Sequence, residues 1–446
     1  MPGTVRCLLV LPISPSEPGN GLAHRCRFWQ EVVGRLGDLT TVVVPVSGPA
    51  WAGDVEVLLD GAVATDLLPG RARRAPEHLG RAWAAEQPGF DLILAVRADV
   101  ALFALGAATA SGAVVVVDLD DDDAALHASS GDAEEATRYE RLVREIRSRA
   151  DLVTSVTGFG GTVPVPNSVA VPEHPLPRTD AGTDRVLMVG NFTYAPNLEG
   201  ARWFLDEVAP RIAADRAGVD IVLAGPGSEA LPPVGLGFVD DVTVLYAAAS
   251  VAVVPLLHGS GSRIKALEAF ALGVPVVGTT VGLSGLPVTS GVDCLIADDP
   301  AELAAAVVRV LSEPLLGDAL AAAARDGRLR ELDRATVADD ALAALGEVMA
   351  TRPLRTLAWA SGLTPSEAPD GLVVMDEYAM VAHHLNPLAS SVLVLVDGET
   401  EPATMAADLA DAFAMDPAES AAAVDAALAE LVRTGLVVSR RCRQRD

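Results

Sequence analysis

Two cations and a carboxylate lie close together in a glycine-rich part of the chain. The segment from Val253 to Thr279 predicts a strand, a glycine loop, a helix, a glycine and a second strand, in that order. Arg263 and Lys265 stand where the loop becomes the helix, a place where the helix dipole disfavours positive charge. A bound anion would offset this cost, because arginine offers a planar fork and lysine a point charge. The segment is therefore predicted to hold a nucleotide diphosphate.

Glu268 follows Lys265 by one helical turn and allows two interpretations. It can form an ion pair within the helix, which contributes roughly 0.2–0.5 kcal/mol. It can instead accept hydrogen bonds from ribose hydroxyls. The other candidate donor-binding residues lie in glycine-rich loops, mostly after predicted strands: Gly19, Gly21, Gly190, Asn191, Ser260, Gly261, Gly282, Leu283 and Ser284.

A run of aspartates follows a predicted buried strand, Val114 to Asp118. These carboxylates can orient an acceptor hydroxyl, bind a cation or simply begin a helix as a solvated acidic turn. Asp118 and Asp120 are the candidates for a catalytic role. His24 is a further candidate for a catalytic role. The alternative interpretation is that its side chain is structural or faces solvent.

The elements that position these residues alternate between strands and helices over roughly the first 345 residues. The predicted strands are apolar runs in two series: 5–11, 41–46, 91–96, 114–118 and 152–156, then 186–189, 221–224, 251–255 and 274–278. Continuous apolar runs are typical of parallel strands that helices cover on both faces. The fold class is therefore α/β, with two Rossmann-like doubly wound domains over 1–178 and 179–350. The proline-rich stretch 163–183 is interpreted as the linker between them.

Composition excludes several classes of function. The net charge of −27 opposes binding to nucleic acid, and the hydrophobic content of 50% excludes a disordered chain. No apolar run is long enough to span a bilayer, so no integral membrane segment is expected and the chain is interpreted as cytoplasmic. The four cysteines lack the spacing of a zinc site, and no metal or cofactor is predicted.

The last part of the chain has a different pattern. Residues 351–369 are interpreted as a second linker, and 370–440 as a small α+β module with two short strands followed by three helices. Asp416, Pro417 and Glu419 predict a helix start, and Gly435 predicts its end. The order of strands and helices suggests a winged helix, but twelve acidic residues and one basic residue between Asp370 and Val438 argue against DNA.

The region from Gly190 to Asp298 resembles the nucleotide-sugar domain of the retaining GT-B glycosyltransferases. The matching pieces are Val-Gly-Asn-Phe, Leu-Ala-Gly-Pro-Gly, Gly-Phe-Val-Asp-Asp, Arg-Ile-Lys-Ala-Leu-Glu-Ala and Gly-Val-Pro-Val-Val-Gly-Thr-Thr-Val-Gly. The resemblance implies that Glu268 holds the ribose, that Arg263 and Lys265 hold the diphosphate, and that the Gly282 loop holds the β-phosphate or the sugar. It also implies a metal-independent reaction. The chain departs from the family at Ser260, where the family has the first of two glutamates.

The terminal module resembles PqqD-like peptide-binding domains, through Met380-Val-Ala-His-His-Leu-Asn-Pro-Leu-Ala, Leu-Val-Asp-Gly and Leu-Val-Arg-Thr-Gly-Leu-Val. The resemblance implies that a leader peptide adds as a strand to the sheet edge and packs against the third helix. The candidate peptide-binding residues are Val373, Val374, Met375, Val381, Val424, Leu428 and Leu431. The alternative is that these apolar side chains form only the core of the module.

The leading hypothesis is a glycosyltransferase that transfers a sugar from a nucleotide-diphosphate sugar to a ribosomally made leader or precursor peptide. One alternative is a glycosyltransferase for a glycan or small metabolite. Another is a catalytically idle scaffold that binds a peptide. This alternative remains because Ser260 stands where the family has a glutamate.

Overall fold

The computed structural model describes residues 4–17, 20–44, 56–57, 77–129, 131–179, 183–259, 263–351, 355–360, 363–376 and 381–441. The chain divides into two compact units. Unit 1 consists of Met1–Ser16, Arg25–Pro164 and Leu342–Asp446, and unit 2 of Glu17–His24 and Val165–Ala341.

The chain up to residue 164 contains a seven-stranded parallel sheet in the order β3-β2-β1-β4-β5-β6-β7. Its elements are β1 (Val5–Leu11), α1 (Gly21–Gly34), β2 (Gly37–Val43), β3 (Glu56–Val57), α2 (Glu77–Ala85), β4 (Leu92–Val96), α3 (Ala98–Ser111), β5 (Val114–Asp118), α4 (Asp123–Ser129), α5 (Ala133–Arg149), β6 (Leu152–Ser155) and β7 (Val163–Pro164). Every residue of β4 and β5 is buried, which confirms the parallel, doubly covered sheet predicted from the continuous apolar runs.

The first helix, α1, begins at Gly21, a residue that the sequence placed in a glycine-rich loop. The side chain of Asn20 accepts a hydrogen bond from the backbone N–H of Leu22 at 2.9 Å, so it satisfies a donor of the first turn. Gly21 is therefore the first helical residue and not part of an open loop.

Unit 2 contains a second parallel sheet, in the order β12-β11-β10-β8-β9. Its elements are β8 (Arg185–Val189), α6 (Ala195–Trp203), a π-helical turn (Phe204–Val208), α7 (Ala209–Asp215), β9 (Asp220–Ala224), α8 (Thr243–Ala248), β10 (Val251–Val254), α9 (Ile264–Ala271), β11 (Val276–Gly278), α10 (Thr280–Leu283), β12 (Leu295–Ile296), α11 (Pro300–Ser312), α12 (Pro314–Asp326) and the first part of α13 (Arg334–Thr351), a helix that belongs to unit 1 from Leu342 onward. The strand order changes direction between β8 and β10. Ligands of open α/β sheets bind at such a switch point, beyond the carboxyl ends of the strands.

The terminal module is larger than the range predicted for it. Its elements are β13 (Arg355–Trp359), β14 (Leu363–Ala368), β15 (Gly371–Asp376), β16 (Val381–Leu385), α14 (Pro387–Leu395), α15 (Pro402–Phe413), α16 (Pro417–Thr434) and β17 (Val437–Arg441). Strands β14, β15 and β16 form an antiparallel sheet, and β13 pairs with β17. None of the described helices is long and apolar enough to cross a membrane.

The prediction that 351–369 is a linker is wrong for the described residues, because β13 and β14 lie within that range. Prolines suggested an irregular segment, but Pro365 lies in β14 opposite Val374, and β14 is an edge strand. An edge strand tolerates proline because the outer side of the strand has no ladder hydrogen bond to lose.

The ends of α16 agree with the sequence prediction. The Asp416 carboxylate accepts hydrogen bonds from the backbone N–H groups of Ala418 and Glu419, and Gly435 ends the helix with a φ of 83°. Within unit 1, Arg81 of α2 donates a hydrogen bond to the carbonyl of Val432 in the last turn of α16, at 2.9 Å. A side chain at Gly435 would collide with the Arg81 guanidinium. This contact places a cation at the helix C-terminus, where the dipole favours it, and ties the module to the first sheet's helices.

Candidate functional site

Lys265 lies at the switch point of the unit 2 sheet. Its Nζ donates a hydrogen bond to Oδ1 of Asn197, at 2.5 Å, and lies 3.0 Å from the position that a Cβ on Gly190 would occupy. Gly190 follows β8, Asn197 belongs to α6, and Lys265 belongs to the first turn of α9, which follows β10. Because β8 and β10 are parallel neighbours, their carboxyl ends bring these three residues together.

The surroundings of Lys265 disfavour the positive charge of its ammonium group. Burial and, to a smaller extent, the nearby Arg263 guanidinium lower its pKa to about 8, with Glu268 acting in the opposite direction. An anion bound beside Nζ would favour the protonated form. The site is thus arranged to gain from a negatively charged ligand.

Arg263 is the N-cap residue of α9 and is largely buried. Its Nη2 donates hydrogen bonds to the carbonyl of Gly259 and to Oγ of Ser284, both at 2.9 Å. The guanidinium therefore connects the loop before α9 with the end of α10. These contacts fix its orientation beside Lys265.

The predicted bare loop around Gly282 is instead a short helix. The backbone N–H of Gly282 donates to Oγ1 of Thr279 at 2.9 Å, and a side chain at Gly282 would collide with the carbonyl oxygen of Val254. Leu283 is buried in the core of unit 2. Close packing against the end of β10 explains the glycine, and of the three predicted residues only Ser284 presents an exposed side chain.

Glu268 contacts a residue that sequence reasoning missed. The hydroxyl of Tyr246, in α8, donates to the Lys265 carbonyl at 3.1 Å and lies 3.4 Å from Oε2 of Glu268. Burial raises the pKa of Tyr246, and the negative charge of Glu268 adds to this effect. The tyrosine is therefore a neutral donor whose single proton is shared between the Lys265 carbonyl and the Glu268 carboxylate, which it orients. The sequence around Tyr246, just before β10, gives no indication that this residue contacts Glu268.

Asn197 lies inside the first turn of α6, beside Lys265. The N-cap of α6 is Tyr194, and the Asn197 side chain donates to the carbonyl of Asn191 at 2.8 Å while accepting from Lys265. Oδ1 of Asn191 accepts from the backbone and hydroxyl of Thr193. Asn191 thus shapes the turn after β8, and Asn197 reaches the cation. Only the pairing of β8 with β10 reveals this role.

Asp118, a candidate catalytic residue, is a buried ion-pair partner. It is fully buried at the end of β5, and its carboxylate accepts from Nε and Nη2 of Arg25, at 2.8 and 2.7 Å. The hydroxyl of Thr154 donates to the same carboxylate at 2.7 Å. Because this side chain is fully buried and held by Arg25 and Thr154, the structure does not support the predicted catalytic role of Asp118.

Asp120 lies in a more unusual environment. It has a φ of 62°, and Arg97, at the end of β4, has a φ of 81°, a region that non-glycine residues rarely adopt. An Nη1 atom of Arg97 lies 3.7 Å from the Asp120 carboxylate, and Nη2 lies 2.6 Å from Asp123. Burial raises the pKa of both carboxyls, to about 6 for Asp123, against the opposing effect of Arg97. Strained backbone with perturbed acids is typical of functional sites.

His24 and three loop residues complete the predicted set. Nε2 of His24 lies 2.8 Å from the carbonyl of Ser168 and donates to it, so this contact is compatible with a structural role. Gly19, Ser260 and Gly261 lie outside the described residues. Within the described part of the chain, no group of three or more His, Cys, Asp or Glu side chains is placed to hold a metal ion.

Two family models match the chain. Residues 183–313 match the family described as glycosyl transferases group 1, and residues 371–437 match coenzyme PQQ synthesis protein D, PqqD. The chain therefore carries a glycosyl transferase group 1 domain and a PqqD domain. Both resemblances predicted from the sequence are confirmed. The Lys265 site lies in the glycosyl transferase domain.

Solved structures similar to the chain identify the fold of the glycosyl transferase part as GT-B. Sucrose-phosphate synthase from Thermosynechococcus elongatus is 16% identical with a TM-score of 0.59, covering 78% of this chain and 100% of that one. HepE of Anabaena, in a complex with UDP and glucose, is 18% identical with a TM-score of 0.56, covering 76% of this chain and 99% of that one.

One curated relative also matches. An uncharacterized 44.6 kDa protein in the cps region of Klebsiella pneumoniae is 26% identical over 130 residues. The match covers 26% of this chain and 34% of that protein, so the chain spans about a third of the length of this relative.

In the PqqD domain the predicted peptide-binding residues fall into two groups. Val374, Val424, Leu428 and Leu431 are buried in the domain core, so the prediction that this helix face binds a peptide is wrong. The apolar spacing along α16 serves the fold of the domain itself. Val373 is half-buried, whereas Met375 and Val381 are exposed on β15 and β16. The strand residues thus remain candidates, with β16 at the edge of its sheet.

Proposed function

We propose that this protein is a glycosyltransferase that takes a sugar from a nucleotide-diphosphate sugar and transfers it to a peptide recruited by its PqqD domain. The observation that carries the proposal is the half-buried Lys265 ammonium beside Gly190, at the switch point of a glycosyl transferase group 1 domain. In this proposal 1–178 form the acceptor side and 179–350 the donor side.

The donor half of the proposal is supported by the charge at the switch point. Arg263 and Lys265 neutralise the diphosphate and stabilise it as it departs, without a metal ion and with retention of anomeric configuration. Glu268, oriented by Tyr246, accepts hydrogen bonds from the ribose hydroxyls. HepE of Anabaena, similar in fold, has been solved in complex with UDP-glucose, which makes UDP-glucose the first donor to test.

The acceptor half is supported by the PqqD domain and the first sheet. An extended peptide can add to the free edge of β16, where Val381 is exposed. Asp120 is the carboxylate that we assign to orient the acceptor hydroxyl, because it sits beside Arg97 at the carboxyl end of the sheet. The proposed peptide is a leader or precursor segment encoded near the gene.

The proposal is tested with purified protein, a panel of UDP, GDP and dTDP sugars, and a short peptide encoded beside the gene. Calorimetry should show binding of one donor class, and mass spectrometry should show the peptide gaining one sugar. Binding of no nucleotide sugar would contradict the donor assignment. Donor hydrolysis with the peptide left unmodified would contradict the acceptor assignment.

The affinity for UDP-glucose is expected to fall as the pH rises through about 8, the pKa of Lys265 in the free protein. Bound diphosphate stabilises the ammonium form, so binding is strongest below this pKa and weakens where the free lysine loses its proton. The loss between pH 7 and pH 9 should reach up to about tenfold. Calorimetry across this range measures it. Lys265→Arg is the matched control, because a guanidinium remains charged and should show no such fall.

A further inference from the structure

A cavity lies in the PqqD domain, away from the free edge of β16. It has a volume of about 570 Å³ and opens between the hairpin of β14 and β15, the end of α14 and the end of α15. Leu372 and Leu409 contribute to its lining. Val394 and Phe413 also line it, although 64% and 49% of their surfaces are exposed. A ligand that covered these two side chains would remove apolar surface from water.

The cavity also carries uncompensated negative charge. Glu367, at the end of β14, and Asp408, in α15, both line it and are exposed. Neither side chain forms an ion pair or hydrogen bond with another described residue. The surrounding sequence from Asp370 to Val438 contains twelve acidic residues and a single basic one, Arg433, which is paired with Glu430. An apolar recess with two unpaired carboxylates is complementary to an apolar side chain flanked by cations.

We propose that this cavity is a second peptide-binding site of the PqqD domain. It takes one bulky apolar side chain of a peptide segment that has Lys or Arg on either side. The apolar side chain covers Val394 and Phe413, and the basic residues pair with Glu367 and Asp408. The inference rests on the proposed function, because it assumes that the PqqD domain recruits a peptide. It adds a requirement for basic residues in that peptide.

The test uses the full chain and a short fluorescein-labelled peptide in which one phenylalanine is flanked by lysines. Fluorescence anisotropy should show binding that weakens at least about tenfold in Val394→Ser and in Phe413→Ser. Both residues are exposed, so these changes leave the fold intact. Leu315→Ser is the matched control, since Leu315 is 85% exposed on α12 of unit 2 and should have no effect. Replacing the peptide's phenylalanine with serine should cause a similar loss.

The charge requirement is tested separately. The double change of Glu367→Gln and Asp408→Asn should weaken binding and flatten its dependence on salt. Equal affinity of the wild-type and Val394→Ser proteins for the peptide would overturn the cavity site, because attraction to the acidic surface alone would then explain binding. A dimer that Val394→Ser dissociates would overturn it too, since a second copy would be the occupant.

The outcomes separate this inference from the function on which it rests. If Val381→Pro at the edge of β16 abolishes peptide binding while Val394→Ser and Phe413→Ser have no effect, the cavity site fails and peptide recruitment stands. If the wild-type protein binds neither the labelled peptide nor the peptide encoded beside the gene, both proposals fail.

Discussion

Replacing Asp118 with alanine is expected to lower the free energy of unfolding of unit 1 by about 3–5 kcal/mol. The change removes the carboxylate that accepts two hydrogen bonds from Arg25, which is only 1% exposed. Arg25 would keep Asp120 as a distant counter-ion, at 3.9 Å, and would lie over the faces of Phe28 and Trp29. A buried cation without its main partner is costly because it has lost its hydration and gained no equivalent contact.

Urea denaturation followed by tryptophan fluorescence measures this loss, with Trp29 close to the altered pair. Glu140→Ala is the control, because this exposed carboxylate should contribute less than about 0.5 kcal/mol. The double change of Arg25→Met and Asp118→Leu should recover much of the stability, since it removes both charges together. A loss below about 1 kcal/mol for Asp118→Ala would show that the ion pair does not hold the end of β5.

Replacing Lys265 with methionine should weaken binding of the nucleotide-sugar donor by roughly tenfold to a hundredfold. This range corresponds to losing a hydrogen bond to a charged group, about 1.5–3 kcal/mol. Methionine keeps the length of the side chain and removes the ammonium that faces Gly190 and Asn197. Calorimetry with UDP-glucose provides the measurement.

Stability distinguishes this functional role from a structural one. Burial lowers the pKa of Lys265, which means that the folded protein disfavours its charge. Lys265→Met should therefore leave the melting temperature unchanged or raise it while donor binding falls. Arg309→Met, at an exposed position of α11, is the control for the loss of one positive charge and should leave donor binding unchanged. Unchanged donor affinity in Lys265→Met would remove this residue from the proposed site.

The local elements of this protein follow from short stretches of sequence. The apolar runs of β4 and β5 indicate buried parallel strands, and Asp416 with Pro417 indicates the start of α16. In each case the deciding signal lies within one short segment: a continuous apolar run for a strand that helices cover on both faces, or a side chain that accepts from backbone N–H groups two and three residues later.

Local patterns also misled in the PqqD domain. The prolines around β14 suggested a linker, but pairing with β15 makes this segment an edge strand. The apolar face of α16 was equally consistent with a peptide surface and with a core. Periodicity shows that a helix face is buried, but it does not show whether the covering partner belongs to the same chain.

The segment from Val253 to Thr279 shows what sequence alone determined about this protein. Its order of strand, loop and helix, its two cations and its resemblance to glycosyltransferases are properties of the sequence. Only the tertiary structure decided that Lys265 meets Asn197, that Tyr246 orients Glu268 and that Asp118 is buried against Arg25. These residues are far apart in the chain, and parallel strands bring their carboxyl ends together only after distant segments have paired. Strand order, which no local pattern specifies, therefore decides which side chains share a site.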